Sequence, residues 1–372
     1  MRRYLLTPGP VEIPESVAAA AAKPIIGHRC AEFSALFMSI EDKLKSLLNV
    51  NSPVIILPSS GTGALEALAV NFLDNGDKFL SVSCGVFGNR FREIAQRLGA
   101  TPVCLDIPMG ESATPDYVAD FVAQHPECGT LFLTHNETST GVVNPIKEII
   151  SKIPKDKRPL ILLDCVSSAG GMELYPEEWG VDAVAFASQK GLLTPPGLGF
   201  AWLSEKAWKY LADRQCRSYY FDLKLHLKEI QGKAPANPYT PPVSLYFALD
   251  EALNIILKDG KEAWFKTRIK YSKAIAAGLE AMGYTLLVRE EDRRSPGVTA
   301  FYSKDMDSEM IRKKLSSLGI DTAGGQGELK GKLIRAAHYN DFGWTDICLF
   351  LSSLYTISGR DNCAFLTAAL QI

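Results

Sequence analysis

The chain has no Cys-x-x-Cys pair among its eight cysteines, Cys30, Cys84, Cys104, Cys128, Cys165, Cys216, Cys348 and Cys363. Their scattered spacing argues against a disulfide framework and against a zinc site. Most stand in apolar runs such as Val103-Cys104-Leu105 and Ile347-Cys348-Leu349. The reading is therefore buried free thiols in a reducing compartment. The five histidines have no metal-ligand spacing, and no metal site is expected. No apolar run approaches the roughly 20 residues of a membrane span. Only Tyr4, Leu5 and Leu6 separate the basic pair Arg2-Arg3 from the break at Thr7-Pro8, too little apolar chain for a signal peptide. The formal net charge is −2, so no basic excess exists to hold nucleic acid or an anionic membrane. Internal repeats and low-complexity tracts are missing too. These absences leave a cytoplasmic protein, without nucleic-acid or membrane partners, as the expectation.

What is present is an enzyme-sized chain of 372 residues, 47% hydrophobic and 22% charged. Short β-rich runs alternate with helical patterns from about residue 54. Strands are expected at Val54–Leu57, Phe79–Ser83, Pro102–Leu105, Thr130–Thr134, Leu160–Leu163, Ala183–Ala187 and Gly199–Leu203. Several are continuously apolar, as in sheets covered on both faces. Helical periodicity fills the gaps at Ala64–Leu73, Asn89–Leu98 and Asp116–Gln124. The fold class expected is α/β, with a large domain on a mainly parallel seven-stranded sheet. After residue 204 the pattern changes to long helices (Val243–Leu257, Trp264–Met282) followed by shorter strands at Thr285–Val288, Val298–Tyr302 and Lys332–Ala336. Further helices are expected at Ser308–Leu318 and Trp344–Ser358. The division read from this is an N-terminal segment over 1–20, a large α/β domain over 21–259 and a smaller C-terminal α+β domain over 260–372.

The chemistry centres on Lys190, in Ala187-Ser188-Gln189-Lys190-Gly191-Leu192-Leu193. Asp164 ends the apolar run Pro159–Leu163, 26 positions earlier. A carboxylate at a buried strand end, with a lysine in a small-residue turn, suits pyridoxal phosphate. The lysine amine condenses with the cofactor aldehyde, and the carboxylate keeps the pyridine nitrogen protonated. A helix cap and a solvated lysine are the plain alternatives. Four further segments carry the same double reading. Pro58-Ser59-Ser60-Gly61-Thr62-Gly63 is a phosphate cradle of Ser60 and Thr62 hydroxyls with Gly61 and Thr62 amides, or an ordinary strand-to-helix turn. It lacks a Walker lysine, and Glu66 stands where a dinucleotide fingerprint needs Gly or Ala. Phe87, between Gly85 and Gly88, stacks on a flat ring or belongs to the core. Val166 covers the other ring face or is core as well. The dense hydroxyls of Thr134–Gly141 bond a cofactor's phenolic oxygen or form a helix cap and turn. Arg335, among apolar neighbours, binds a substrate carboxylate in bidentate fashion or sits in an internal salt bridge. His135 and His338 read as structural.

Together these segments resemble the class V aminotransferases of the fold-type I pyridoxal-phosphate superfamily, nearest the alanine–glyoxylate and serine–glyoxylate (pyruvate) branch. The carriers are Leu5–Pro10, Gly27-His28-Arg29, Ser60–Glu66, Gly85–Arg90, Glu137–Gly141, Asp164–Ser168, Ser188–Lys190, Tyr239–Val243 and Arg335. The resemblance implies that Lys190 is the Schiff-base lysine and Asp164 the pyridine partner. Ser60, Gly61, Thr62, Phe87, Thr138, Val166 and Gln189 then bind the cofactor. Thr240 reaches the neighbouring subunit's phosphate in a homodimer with its active site at the interface. Gly9 and Arg335 bind substrate. Phe87 replaces the usual Trp or Tyr, Asn237 falls where some relatives place a phosphate-binding tyrosine, and Ile334-Arg335-Ala336-Ala337-His338 lacks the Gly usual after the arginine–isoleucine pair in relatives.

The activity implied is transfer of an amino group from alanine or serine to glyoxylate or pyruvate, by a ping-pong route. No second cationic clamp is visible in the sequence, which favours short substrates. The alternatives are a 2-aminoethylphosphonate–pyruvate or aspartate aminotransferase, a lyase of the cysteine desulfurase type, and a non-catalytic cofactor-binding protein. Phe87 at the stacking position and the buried look of Cys348 and Cys363 speak against the lyase.

Overall fold

The computed structural model describes residues 3–359 and 364–372. Strand β1 (Tyr4–Leu6) opens the chain, and the helix Ala31–Leu48 lays a row of Phe33, Phe37, Ile40 and Leu44 into the core. Next come β2 (Val54–Leu57), β3 (Lys78–Ser83), β4 (Thr101–Asp106) and β5 (Thr130–Thr134). A short hairpin of β6 (Asn136–Glu137) and β7 (Val142–Val143) follows, then β8 (Leu160–Asp164), β9 (Ala183–Ala187) and β10 (Gly199–Leu203). The later strands are β11 (Thr285–Leu286), β12 (Val298–Tyr302), β13 (Ile320–Gly324) and β14 (Ile334–Ala337).

The large sheet has seven strands in the order β2-β10-β9-β8-β5-β3-β4. The run from β9 to β4 is parallel, while β10 pairs antiparallel with both its neighbours. Strands β2, β5, β8, β9 and β10 are buried along their whole length. This explains their unbroken apolar character, because helices cover both faces. Strands β2, β3, β5, β8 and β9 all deliver their carboxyl ends to one edge. In open α/β sheets that edge is where ligands bind. A second sheet of five strands runs β1-β13-β14-β12-β11 and is mostly antiparallel. The first strand of the chain, β1, pairs parallel with β13 in this sheet, drawing the segment after it across the large sheet's edge.

Two main apolar cores match these sheets. One runs from Val17 to Phe265, and the other joins Leu6 to residues between Ala274 and Ala369. The expected seven-stranded, mainly parallel sheet with a further C-terminal α+β layer is what forms. Among the elements the sequence missed are β1, β13, the β6–β7 hairpin and the helices Glu15–Ala21, Ala31–Leu48, Ile146–Lys152, Glu205–Leu211, Leu223–Ile230 and Ala364–Leu370. The thiol reading needs correction. Cys84, Cys128 and Cys165 are buried, but Cys104 is exposed and Cys30, Cys216 and Cys348 are half-buried. The flanking apolar residues of Cys104 belong to β4 at the sheet edge, where alternate side chains face solvent. Cys363 lies outside the described residues.

Phe132 of β5 packs against Phe79 of β3 at 4.7 Å and against Phe91 at 4.0 Å between ring centroids. Phe91 lies on the helix Val86–Arg97, which begins at the ligand edge. Phe132→Ala should therefore lower unfolding free energy by about 3–5 kcal/mol. Urea denaturation of the purified variant checks this; a loss below about 1 kcal/mol would contradict the packing.

Candidate active site

A cleft of about 470 Å³ opens at the carboxyl edge of the large sheet. Its floor is built from three strand ends. Asp164 closes β8, Thr138 follows the β6 turn, and Lys190 stands three residues beyond β9. The first turn of the helix Gly61–Phe72, with Ser60, Gly61 and Thr62, forms one wall. Phe87 and Arg90 come from the helix Val86–Arg97, Ala323 and Arg335 from the second sheet, and Gln326 from the loop after β13. Residues Thr7–Pro10 cross above Lys190, and the Val11 amide donates to the Gln189 carbonyl at 3.1 Å.

Lys190 is 6% exposed and Asp164 only 3%. Nζ of Lys190 donates to Thr138 Oγ1 at 2.9 Å and lies 4.9 Å from the centre of the Phe87 ring. The chain continues, Thr138 Oγ1 donating to Ser167 Oγ at 2.6 Å and that hydroxyl to the Asn136 carbonyl at 2.7 Å. The turn carrying the lysine closes through the Leu193 amide to the Lys190 carbonyl at 3.0 Å, with Leu193 at φ 51°. That is a left-handed conformation rare for leucine and held only by surrounding packing. Burial drives the Lys190 amine down to about 8, opposed by the charges of Asp164 and Glu137. Burial likewise drives Asp164 up to about 7, opposed by the Val166 amide on Oδ1 at 2.9 Å and by the Lys190 charge. Both shifts follow from taking charge out of water.

Arg335, 4% exposed, is aimed by two backbone carbonyls. Its Nε donates to Gly324 at 2.8 Å and one terminal nitrogen to Thr138 at 3.0 Å. Among the described residues it has no carboxylate partner within salt-bridge distance, so the internal salt bridge weighed from sequence does not form. The guanidinium keeps N–H groups for an anion in the cleft.

Most of the expected residues converge here. Ser60, Gly61, Thr62, Phe87, Thr138, Asp164, Val166, Gln189, Lys190, Gly9 and Arg335 all line the cleft. Thr240 does not; it is exposed and outside the lining. The Ser60 hydroxyl serves first as helix cap, accepting the Gly63 amide at 3.2 Å. Asn237 is buried, donating to the Ile56 carbonyl at 2.7 Å and accepting from the Tyr246 hydroxyl. It thus holds the core together rather than facing the cleft. His135 and His338 are buried structural histidines, depressed by burial to about 4 and about 3. His135 sets its ring against Trp179, and His338 hydrogen-bonds Thr299 at 3.1 Å.

The structure also corrects the view that no second cation reaches the site. Arg90 lines the cleft, its guanidinium 4.7 Å from the Phe87 ring centre, with no carboxylate partner among the described residues. Its signal was present, since Arg90 lies three residues after Phe87, one helical turn along. Gln326 had no signal beyond a glycine-rich stretch. Its side-chain oxygen is buried with no partner among the described residues.

The cleft suits pyridoxal phosphate. The amides of Gly61 and Thr62 open a helix of 12 residues and have no acceptor among the described residues, as a phosphate site requires. A Cβ on Gly61 would stand 2.9 Å from both Val166 methyls, so the backbone there stays open to the ligand. Phe87 offers a ring face, Gln189 a buried oxygen lacking a partner among the described residues, and Lys190 an amine about half neutral near pH 8. Capture of pyridoxal phosphate by the apoprotein should accelerate as pH rises toward about 8 and then level off. Stopped-flow absorbance measures it. A rate still climbing toward the ordinary lysine value would show that burial does not depress this amine.

Comparison with known proteins shows the family of the chain. Residues 7–330 match the family model described as aminotransferase class-V. A protein named soluble hydrogenase, small subunit, from a Synechococcus species is 36% identical over 360 residues, 96% of this chain and 93% of that one. The serine–glyoxylate aminotransferase of Methylorubrum extorquens is 30% identical, covering 91% of this chain and 87% of its own. The crystal structure of ureidoglycine–glyoxylate aminotransferase from Bacillus subtilis superposes with a TM-score of 0.92 at 27% identity, covering 100% of this chain and 98% of that one. No described helix is long and apolar enough to cross a membrane. The chain belongs to the class V aminotransferases and is a pyridoxal-phosphate-dependent enzyme.

Proposed function

We propose that this aminotransferase moves an amino group from a small amino acid, alanine or serine, to a small 2-oxo acid, glyoxylate or pyruvate, in two half-reactions at one site. The observation that carries the reading is a buried lysine amine, depressed by desolvation, hydrogen-bonded to Thr138 and beside Asp164. Glyoxylate as acceptor rests on the two glyoxylate aminotransferases above, which differ in donor.

Pyridoxal phosphate, when bound, supplies the aldehyde carbon that receives the amino group and a ring that withdraws electrons from the donor α-carbon. The residues do the rest. Lys190 anchors the cofactor. Its Nζ would also be the general base that takes the donor's α-carbon proton and passes it on during the transfer. Thr138 Oγ1 keeps that amine in place between proton transfers. The Asp164 carboxylate would hold the pyridine nitrogen proton, and the ring's positive charge would in turn answer the buried carboxylate. Phe87 and Val166 hold the ring between them. The first turn of Gly61–Phe72 takes the phosphate. Arg335 takes the substrate carboxylate, and the Thr7–Pro10 crossing keeps water and bulky side chains away from Lys190. Gly9 shapes that lid, since a Cβ there would come within 3.1 Å of Lys190 Cε.

We further propose a homodimer in the cytoplasm, with Thr240 serving the neighbouring subunit's phosphate, and the division 1–20, 21–259 and 260–372. Exposure of Thr240 supports its role, and the two cores, which part between Phe265 and Ala274, support a division close to residue 260. A second reading follows from Arg90. An unpaired guanidinium near Arg335 favours a donor with a second anionic group, aspartate or 2-aminoethylphosphonate.

Lys190→Ala should abolish turnover while the variant melts like wild type. Assays with alanine, serine, aspartate and 2-aminoethylphosphonate, each with glyoxylate and pyruvate, decide the donor. Full turnover of Lys190→Ala without added amine would sink the reading. Arg335→Lys should raise KM for the donor about tenfold or more with kcat less affected, because the fork geometry is lost. An unchanged KM would remove Arg335 from substrate binding.

A further inference from the structure

Glu137 is 0% exposed. A carboxylate so buried is costly unless every lone pair is used. Its oxygens accept from the Phe87 amide at 3.0 Å, the Gly88 amide at 3.0 Å, the Ser139 amide at 3.0 Å and the Ser139 hydroxyl at 2.6 Å. It accepts from all four and donates to none, the pattern of an ionised carboxylate. Ser139 Oγ in turn accepts the Val86 amide at 3.0 Å. Three consecutive amides, those of Val86, Phe87 and Gly88, are therefore held from one loop. They open the helix Val86–Arg97, whose N-cap is Gly85, a residue without a side chain to cap it. The glycine is forced. A Cβ at Gly85 would stand 2.5 Å from Glu137 Cγ and from Ser139 Oγ. The capping carboxylate thus comes from 50 residues along the chain, and the residue it grips is the ring-stacking Phe87.

The same loop reaches the rest of the site. Between Glu137 and Ser139 stands Thr138, whose hydroxyl takes the Lys190 amine and whose carbonyl takes Arg335. The charged groups facing Lys190 are Asp164 from β8, Glu137 from β6, Arg335 from β14 and Arg90 from the Val86–Arg97 helix. Cys84, hydrogen-bonded by Asn144, also lies within electrostatic reach of Glu137. Of the two carboxylates facing Lys190, Asp164 is committed to the pyridine nitrogen in the proposed function. Glu137 is the one committed to backbone amides and the Ser139 hydroxyl.

We propose that Glu137 is a positioning residue. It clamps Phe87 against the cofactor ring and supplies a buried negative charge toward Lys190 and Arg335. The inference rests on the assignment of Lys190 as the cofactor-binding lysine. Its direct effect is on the protonation of the lysine–cofactor linkage. A nearby negative charge favours the protonated form, so removing it makes the linkage lose its proton at lower pH.

The experiment is a pH titration of the visible absorbance of the pyridoxal-phosphate holoenzyme, with the rate of cofactor loss to a scavenging apoenzyme. In Glu137→Gln the titration midpoint should fall by about one pH unit or more. Glu137→Asp, which keeps the charge but retracts it, should keep the midpoint near wild type and lose cofactor faster. Ser139→Ala removes the hydroxyl shared by Val86 and Glu137 while leaving the charge, so its cofactor loss should quicken about tenfold with the midpoint unmoved. An unmoved midpoint in a Glu137→Gln holoenzyme that melts like wild type would overturn the charge role. Wild-type cofactor retention in Ser139→Ala would overturn the clamp, even if Glu137→Gln does not fold. A wild-type protein that gains no visible band with pyridoxal phosphate would instead overturn the Lys190 assignment beneath both.

Discussion

The constraint on which the site depends is the cost of keeping charge away from water. Lys190, Asp164 and Arg335 line one cleft, Glu137 lies within electrostatic reach of Lys190, and all four are nearly inaccessible. Isolated, each would shed its charge or destabilise the fold. They coexist because each answers another and because backbone dipoles take up what remains. Glu137 is held by amides, Arg335 by carbonyls, Asp164 by the Val166 amide and Lys190 by the Thr138 hydroxyl. The reactive properties follow from the same balance. An amine left in water would be an ammonium at neutral pH and no nucleophile. Desolvation makes it available, and the neighbouring carboxylates keep the depression from going further.

Sheet architecture makes that balance possible. Parallel strands bring their carboxyl ends to one edge, so residues from Ser60 to Lys190 meet though far apart in sequence. The register Thr134↔Asp164↔Ala185 sets the depth at which Asp164 sits. The second sheet adds Arg335, and its pairing with β1 carries Thr7–Pro10 over the lysine. The site is thus closed by two chain segments from opposite ends of the sequence.

Legibility from sequence followed locality. The helix Val243–Leu257 and the strands Val298–Tyr302 and Ala183–Ala187 were read to the residue, because each is a long periodic or unbroken apolar pattern. Strand β13, Ile-Asp-Thr-Ala-Gly, has no such pattern, since half of it faces the cleft and solvent. It exists because β1 and β14 flank it. Cys104 was misread because apolar neighbours do not reveal that their strand lies at an edge.

By itself the sequence determined the alternation of strands and helices, the lysine turn after a buried strand, the aspartate at a strand end and the small-residue loop before a helix. Each is written in a few consecutive residues, where local backbone preference and burial pattern decide the outcome. Only the tertiary structure decided that Arg90 shares the cleft with Arg335, that Thr240 faces outward, and that Glu137 caps a helix it does not belong to. Those facts are distances between side chains tens to hundreds of residues apart. They are set by strand order and sheet edge; helical spacing puts Arg90 beside Phe87, but no local pattern encodes these long-range meetings.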